Sequence, residues 1–224
     1  MMIFKFRRRF SPLDYLLFLL IFLINPLLLK AQTTDSLVLL LRSAKGVEKT
    51  LLLNEQAKRY AEDNPAKAID LATEALHLAR LQSNKQEEAK ALRHLGDATY
   101  HLNNIREAIM HYVQSGEVER ELGGEDSEGY ASRIADVGYC YYMLEQPTQA
   151  LKHFNESLEI SVKNEYDLLA AGNYVNIGNI YTKWGDYGIG LETFKESLKI
   201  DRRLGGSIQG STDLNNIGKI FEHW

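Results

Sequence analysis

Three side chains capable of chemistry stand close together at His94, Asp97 and His101. Spacings of three and four place them on one face of a helix. Two imidazoles and a carboxylate could hold a metal ion. They could also form a patch that titrates near neutrality, since histidine changes charge there. The simpler reading is the polar face of an amphipathic helix, because a single helix carries all three. Other chemical signals are weaker. Gly188-Ile189-Gly190 is a fragment of a dinucleotide-binding turn with no strand before it, and close helix contact accounts for Gly190. Ser207, in Gly205-Gly206-Ser207-Ile208-Gln209, lacks the Gly-x-Ser-x-Gly arrangement of a hydrolase elbow and reads as a helix cap. Cys140, the only cysteine, rules out an intramolecular disulfide and a cysteine zinc site, and reads as a small core residue. No residue pattern points to catalysis, a cofactor or a resident metal.

The elements that position these residues follow from a repeat. Gly96, Gly138, Gly178 and Gly218 are separated by 42, 40 and 40 residues. Ala68, Ala108, Ala150 and Gly190 keep the same rhythm, as do Ala75, Ser115, Ser157 and Ser197, and the rings of Tyr112, Phe154 and Phe194. Four columns sharing one period describe an array of helical hairpins, most plainly in the stretch 173–200. Glycine costs a helix about 1 kcal/mol relative to alanine. Four glycines in register therefore imply close helix crossings, with the neighbouring ring filling the gap to the next hairpin. The spacing predicts repeats at 49–82, 85–123, 128–164 and 166–206, with a partial one at 210–224. The first is divergent, with Gln56 at the glycine position, and Pro65 opens its second helix. Gly123-Gly124 and Gly205-Gly206 read as caps and connectors that absorb the length of the period.

At these positions the chain resembles the tetratricopeptide repeat family, in a long-period form. The carrying residues are Val137-Gly138-Tyr141 with Ala150 and Phe154, and Ile177-Gly178-Tyr181 with Gly190 and Phe194. Leu95-Gly96 with Ala108 and Tyr112, and Ile217-Gly218-Phe221, extend the match over 51–224. Leu92, Ile134, Tyr174 and Leu214 take the family's tryptophan position. The usual period is about 34 residues. The resemblance implies an all-α, right-handed superhelical solenoid of antiparallel helix pairs. Its first helices would line a concave groove for a protein or peptide. Carried over position by position, that groove receives Lys90, Arg93, His94, Asp97 and His101 from repeat two, and Asp136, Tyr139, Tyr142 and Met143 from repeat three. Repeat four adds Asn176, Asn179 and Lys183, and the last helix Asn215, Asn216 and Lys219. The partner-binding set is Tyr139, Tyr142, Asn176, Asn179, Asn215, Asn216 and Lys219. Asparagine amides both donate and accept, which suits an extended main chain. The family's carboxylate clamp needs lysine where Val175 stands, so a C-terminal carboxylate ligand is not supported.

Residues 1–31 read as an export signal. Lys5 to Arg9 form a basic start, residues 15–29 an apolar run, and Ala31 a small residue before a polar stretch. The run falls short of the roughly 20 residues that span a bilayer. A periplasmic or secreted protein is expected, with an uncleaved anchor at 15–29 as the alternative. Residues 32–48 read as a capping helix, with Thr34, Asp35 and Ser36 at its start and Leu37, Leu40 and Leu41 on one face. The formal charge is −4, and without residues 1–31 it becomes −8, because that segment holds five basic side chains and one acidic. Nucleic-acid binding needs a basic stripe and is excluded by this balance. The expected function is an exported, non-enzymatic scaffold for protein–protein interaction. The alternative is the sensor region of a larger signalling protein (a histidine kinase, cyclase or transcriptional regulator) cut at residue 224, where Leu214, Ile217 and Phe221 form an open apolar face. Any membrane contact would come through the N-terminal signal or a further segment. With no metal expected, zinc titration followed by calorimetry should give no heat beyond that of a His94→Ala variant.

Overall fold

Nine helices follow one another among the described residues of the computed structural model, which are 44–206 and 208–223. They are α1 (Gly46–Tyr60), α2 (Pro65–Leu81), α3 (Lys85–His101), α4 (Ile105–Gly123), α5 (Glu128–Met143), α6 (Pro147–Lys163), α7 (Asp167–Trp184), α8 (Tyr187–Arg203) and α9 (Ile208–His223). The expected export signal at 1–31 lies outside the described residues, as do Ser207 and the expected capping helix up to residue 43. Residues 46–48 belong to α1, which starts three residues earlier than the repeat boundary at 49. Helix α9 likewise starts at Ile208, ahead of the boundary at 210.

Local chemistry explains the boundaries. Asn64, Asn84 and Ser127 each accept a hydrogen bond from the backbone N–H three residues on, capping α2, α3 and α5. Three hairpin turns share one geometry. The backbone N–H groups of Asn104, Gln146 and Asp186 donate to the carbonyls of Thr99, Tyr141 and Tyr181, each at 2.9 Å. Each such turn needs one left-handed residue, supplied by Asn103, Glu145 and Gly185 at φ of 63°, 56° and 83°. Connectors are only two to four residues long. The extra length of the period therefore sits in helices of 16 to 19 residues, and Gly123 is the last residue of α4.

Three of the four column glycines face a ring within their own hairpin, whereas a Cβ on Gly218 would meet nothing within 4 Å. A Cβ on Gly96 would lie 2.6 Å from the Tyr112 ring, on Gly138 3.0 Å from Phe154, and on Gly178 2.7 Å from Phe194. The rings thus press on their own hairpin, and they also pack forward. Tyr112 joins Val137 and Cys140 of α5, Phe154 joins Ile177 and Ile180 of α7, and Phe194 joins Ile220 of α9. Behind the rings, the hydroxyls of buried Ser115 and Ser157 donate to the carbonyls of Ala89 and Ala131 at 2.9 and 2.8 Å, stapling second helix to first.

The stacking pattern sets the inner face. Besides their hairpin partners, α1 touches α3, α5 touches α7 and α7 touches α9, while no two second helices among the described residues pack to that extent. First helices that meet while second helices splay apart put the first helices on the concave side. Gly172 and Gly178 share α7, yet a Cβ on Gly172 would meet nothing within 4 Å. Gly172→Ala should raise stability by up to about 1 kcal/mol through helix propensity. Gly178→Ala should lower it by about 1–3 kcal/mol by overpacking Phe194 and Thr193, as read by urea unfolding.

Candidate peptide-binding groove

The candidate groove positions lie two before and one after each column glycine. These are His94 and Asp97 on α3, Asp136 and Tyr139 on α5, Asn176 and Asn179 on α7, and Asn216 and Lys219 on α9. Their chemistry changes along the array, and so does their exposure.

At α3 the structure corrects the polar-face reading of His94, Asp97 and His101. His94 is only 2 % exposed. Its Nδ1 lies 3.5 Å from Asp97 Oδ2, and the Tyr112 hydroxyl donates to Asp97 Oδ1 at 2.9 Å. Burial holds His94 below the ordinary histidine value despite that carboxylate. Burial pushes Asp97 up, but the His94 and Tyr112 hydrogen bonds outweigh it and keep the carboxyl below its usual range. His101 stands apart and exposed, with its ring edge-on to Tyr100. Among the described residues no group of three or more His, Cys, Asp and Glu side chains could hold a metal. Lys90 is tied to Glu87 at 2.7 Å.

Along α5 the groove becomes aromatic. The Tyr139 ring, 41 % exposed, lies 5.8 Å from Tyr100 and 6.4 Å from Tyr142. Asp136 beside them pairs with Arg133 at 3.0 Å. Burial of its carboxyl pushes Asp136 up to about 6, with Arg133 and Arg93 pulling against burial and Asp97 adding to it. Sequence reasoning passed over Arg133, a buried arginine whose position beside the tryptophan slot reads as surface. Cys140 is fully buried in the core, and its thiol is pushed up to about 12.

Between α5, α7 and α9 the groove opens into a recess. Tyr142, Asn179, Asn216 and Lys219 line it together with Lys183 and Tyr187. Asn216 Nδ2 reaches to 3.5 Å from Asn179 Oδ1, so amides of adjacent repeats stand side by side. Asn176 and Asn215 lie outside this recess. Asn215 stands in the register of Val175, one helix step away from the groove positions. Tyr187 and the exposed Trp184 were missed by sequence reasoning. The available signal was an aromatic on each side of the Gly185-Asp186 turn.

The raised Asp136 value has a definite sign. Protonated carboxyl favours the folded state, so its contribution is complete below an ordinary carboxyl value of about 4 and is lost as pH rises through about 6. Asp136→Asn should therefore shift the unfolding midpoint upward relative to the parent more at about pH 7.5 than at about pH 4.5; equal shifts would contradict the assignment.

Comparison with known proteins places this geometry. Residues 87–161 and 171–203 match models described as tetratricopeptide repeat. Tonsoku-like protein of Drosophila melanogaster is 24% identical over 165 residues, covering 65% of this chain and 12% of that protein. The chain thus spans about an eighth of the length of that curated relative. A Signal Transduction ATPase with Numerous Domains protein with a tetratricopeptide repeat sensor, from Pyrococcus horikoshii, superposes with a TM-score of 0.70 at 15% identity. That match covers 80% of this chain and 28% of the other. Rap protein complexed with competence and sporulation factor gives 0.66 at 19% identity, over 78% and 52%. The stacked antiparallel pairs are a tetratricopeptide-type solenoid, in keeping with the tetratricopeptide repeat models that residues 87–161 and 171–203 match.

Proposed function

We propose that this array is a non-catalytic scaffold that captures an extended segment of a partner protein along its first helices. The recess between α5, α7 and α9 carries the reading. Two side-chain amides from adjacent repeats face one space, with donors and acceptors left over beyond their mutual 3.5 Å contact. An extended chain offers alternating N–H and C=O groups that such amides can pair, and Tyr139 and Tyr142 supply apolar contact beside them. Tetratricopeptide arrays act in protein–protein interaction, and the Rap protein of the same fold has been captured with competence and sporulation factor bound. The basic, apolar and small residues of 1–31 support an exported scaffold, periplasmic or secreted, with an anchor at 15–29 as the alternative.

A second reading, the sensor part of a larger signalling protein, is favoured by the fold likeness to the Pyrococcus horikoshii protein, whose array is described as a sensor. The reading frame beyond the codon for Trp224 separates the two. For the groove itself, Asn179→Ala combined with Asn216→Ala should weaken binding of library-selected peptides roughly tenfold or more, measured by fluorescence anisotropy. The helical signal and unfolding midpoint should not move. Unchanged affinity would sink the groove assignment.

A further inference from the structure

The α7–α9 end of the groove is basic. Asp97 and Asp136 stand on α3 and α5, whereas Lys183 and Lys219 line the recess between α7 and α9. No Asp or Glu lines that recess. Several lysines elsewhere on the array are matched, as in Lys85 with Glu121, Lys163 with Asp126, Lys195 with Glu192 and Lys199 with Glu196. Lys183 instead holds its Nζ 5.7 Å above the Tyr142 ring, an arrangement that steadies the ammonium while leaving its donors available. No ion pair of Lys183 or Lys219 occurs among the described residues. A second recess adjoins the first, lined by Tyr142, Glu145, Pro147, Ile180, Lys183 and Trp184. Its apolar wall is the Trp184 ring, 47% exposed and set edge-on to Tyr181 at 5.7 Å, together with Ile180 and Pro147. Tyr142 and Lys183 form the partition between the two recesses.

We propose that these two recesses read an internal motif of an extended peptide, an acidic side chain between Lys183 and Lys219 and a bulky apolar side chain against Trp184. This rests on the groove reading above and adds the ligand's chemistry to it. Side chains on the same face of an extended chain are two residues apart, roughly 7 Å. Recesses that share one partition therefore fit an acidic and an apolar residue separated by a single residue. Asn179 and Asn216 then hold the main chain at the acidic position. The chemistry differs from a terminal-carboxylate clamp. The position where the family sets its clamp lysine is Val175, which is buried, so the acid read here belongs to a side chain.

The test uses the full chain on an array of acetylated, C-terminally amidated nonapeptides that scan Glu, Gln or Lys against Trp, Leu or Ala at every pair of positions. Peptides with Glu and Trp or Leu separated by one residue should be retained about fivefold or more over their Gln counterparts. Lys183→Glu combined with Lys219→Glu should invert the preference so that Lys replaces Glu in the retained peptides. Lys152→Glu on the second helix α6 should leave it unchanged, and an inverted preference is a gain that a misfolded variant cannot produce. Equal retention of Glu and Gln peptides, with binding still sensitive to Asn179→Ala and Asn216→Ala, would overturn this inference and leave the groove reading standing. Retention that appears only with a free C-terminal carboxylate would likewise overturn it. If no peptide is retained, both readings fall together.

Discussion

The contact on which everything else depends is an aromatic ring seated on a glycine. At Gly96, Gly138 and Gly178 a methyl group would come within 3.0 Å or less of a ring carbon of Tyr112, Phe154 or Phe194. The glycine lets the two helices of a hairpin close, and the ring it admits also packs against the next hairpin's first helix. One side chain thereby serves both the fold of a repeat and its stacking on the next. Helical propensity alone would disfavour glycine there, so the cost is offset by packing density that neither hairpin could reach alone. Stability in such an array is close to a sum of neighbour terms, with no single large core.

Recognition inherits that geometry. Because the ring always lies on the second-helix side of the glycine, positions two before and one after the glycine are pushed to the concave side. The scaffold therefore holds backbone register constant while chemistry varies freely from repeat to repeat. Along one line of equivalent positions this chain carries His94, Asp136, Asn176 and Asn216, and along the other Asp97, Tyr139, Asn179 and Lys219. The His94–Asp97–Tyr112 chain shows one outcome, in which candidate groove positions are tied into the packing of their own repeat. The Asn179–Asn216 pair shows the other, in which they stay at the wall of an open recess.

How much of this was legible in the sequence follows from the range of each interaction. The glycine and ring columns lie at fixed separations, so the hairpins and their order could be read directly, whereas the groove-facing side was expected only from the family resemblance. Caps at Asn64, Asn84 and Ser127 act over three residues and were equally local. The burial of His94 was not legible, because it depends on the packing of α3 between repeats, where its own helix offers only a polar stripe. The placement of the surplus length also misled. Glycines after α4 suggested connectors, but Gly123 still lies within the helix and only Gly124 leaves it, at φ 83°. Trp184 and Tyr187 became part of the groove only when the Gly185-Asp186 turn brought the ends of α7 and α8 to one edge.

Specificity in this architecture is therefore a property of seams and not of repeats. Arg93, Asp97 and Asp136 come together only because α3 and α5 are neighbours, and at that seam burial lifts the Asp136 carboxyl, with Asp97 adding to it and Arg93 opposing it. Lys183 and Lys219 share a recess only because α7 and α9 are neighbours. Exchanging whole repeats would preserve every ring-on-glycine contact and still dissolve both sites. A fold can thus persist while its ligand changes, since the interactions that hold the stack and those that face the groove use opposite sides of the same helix.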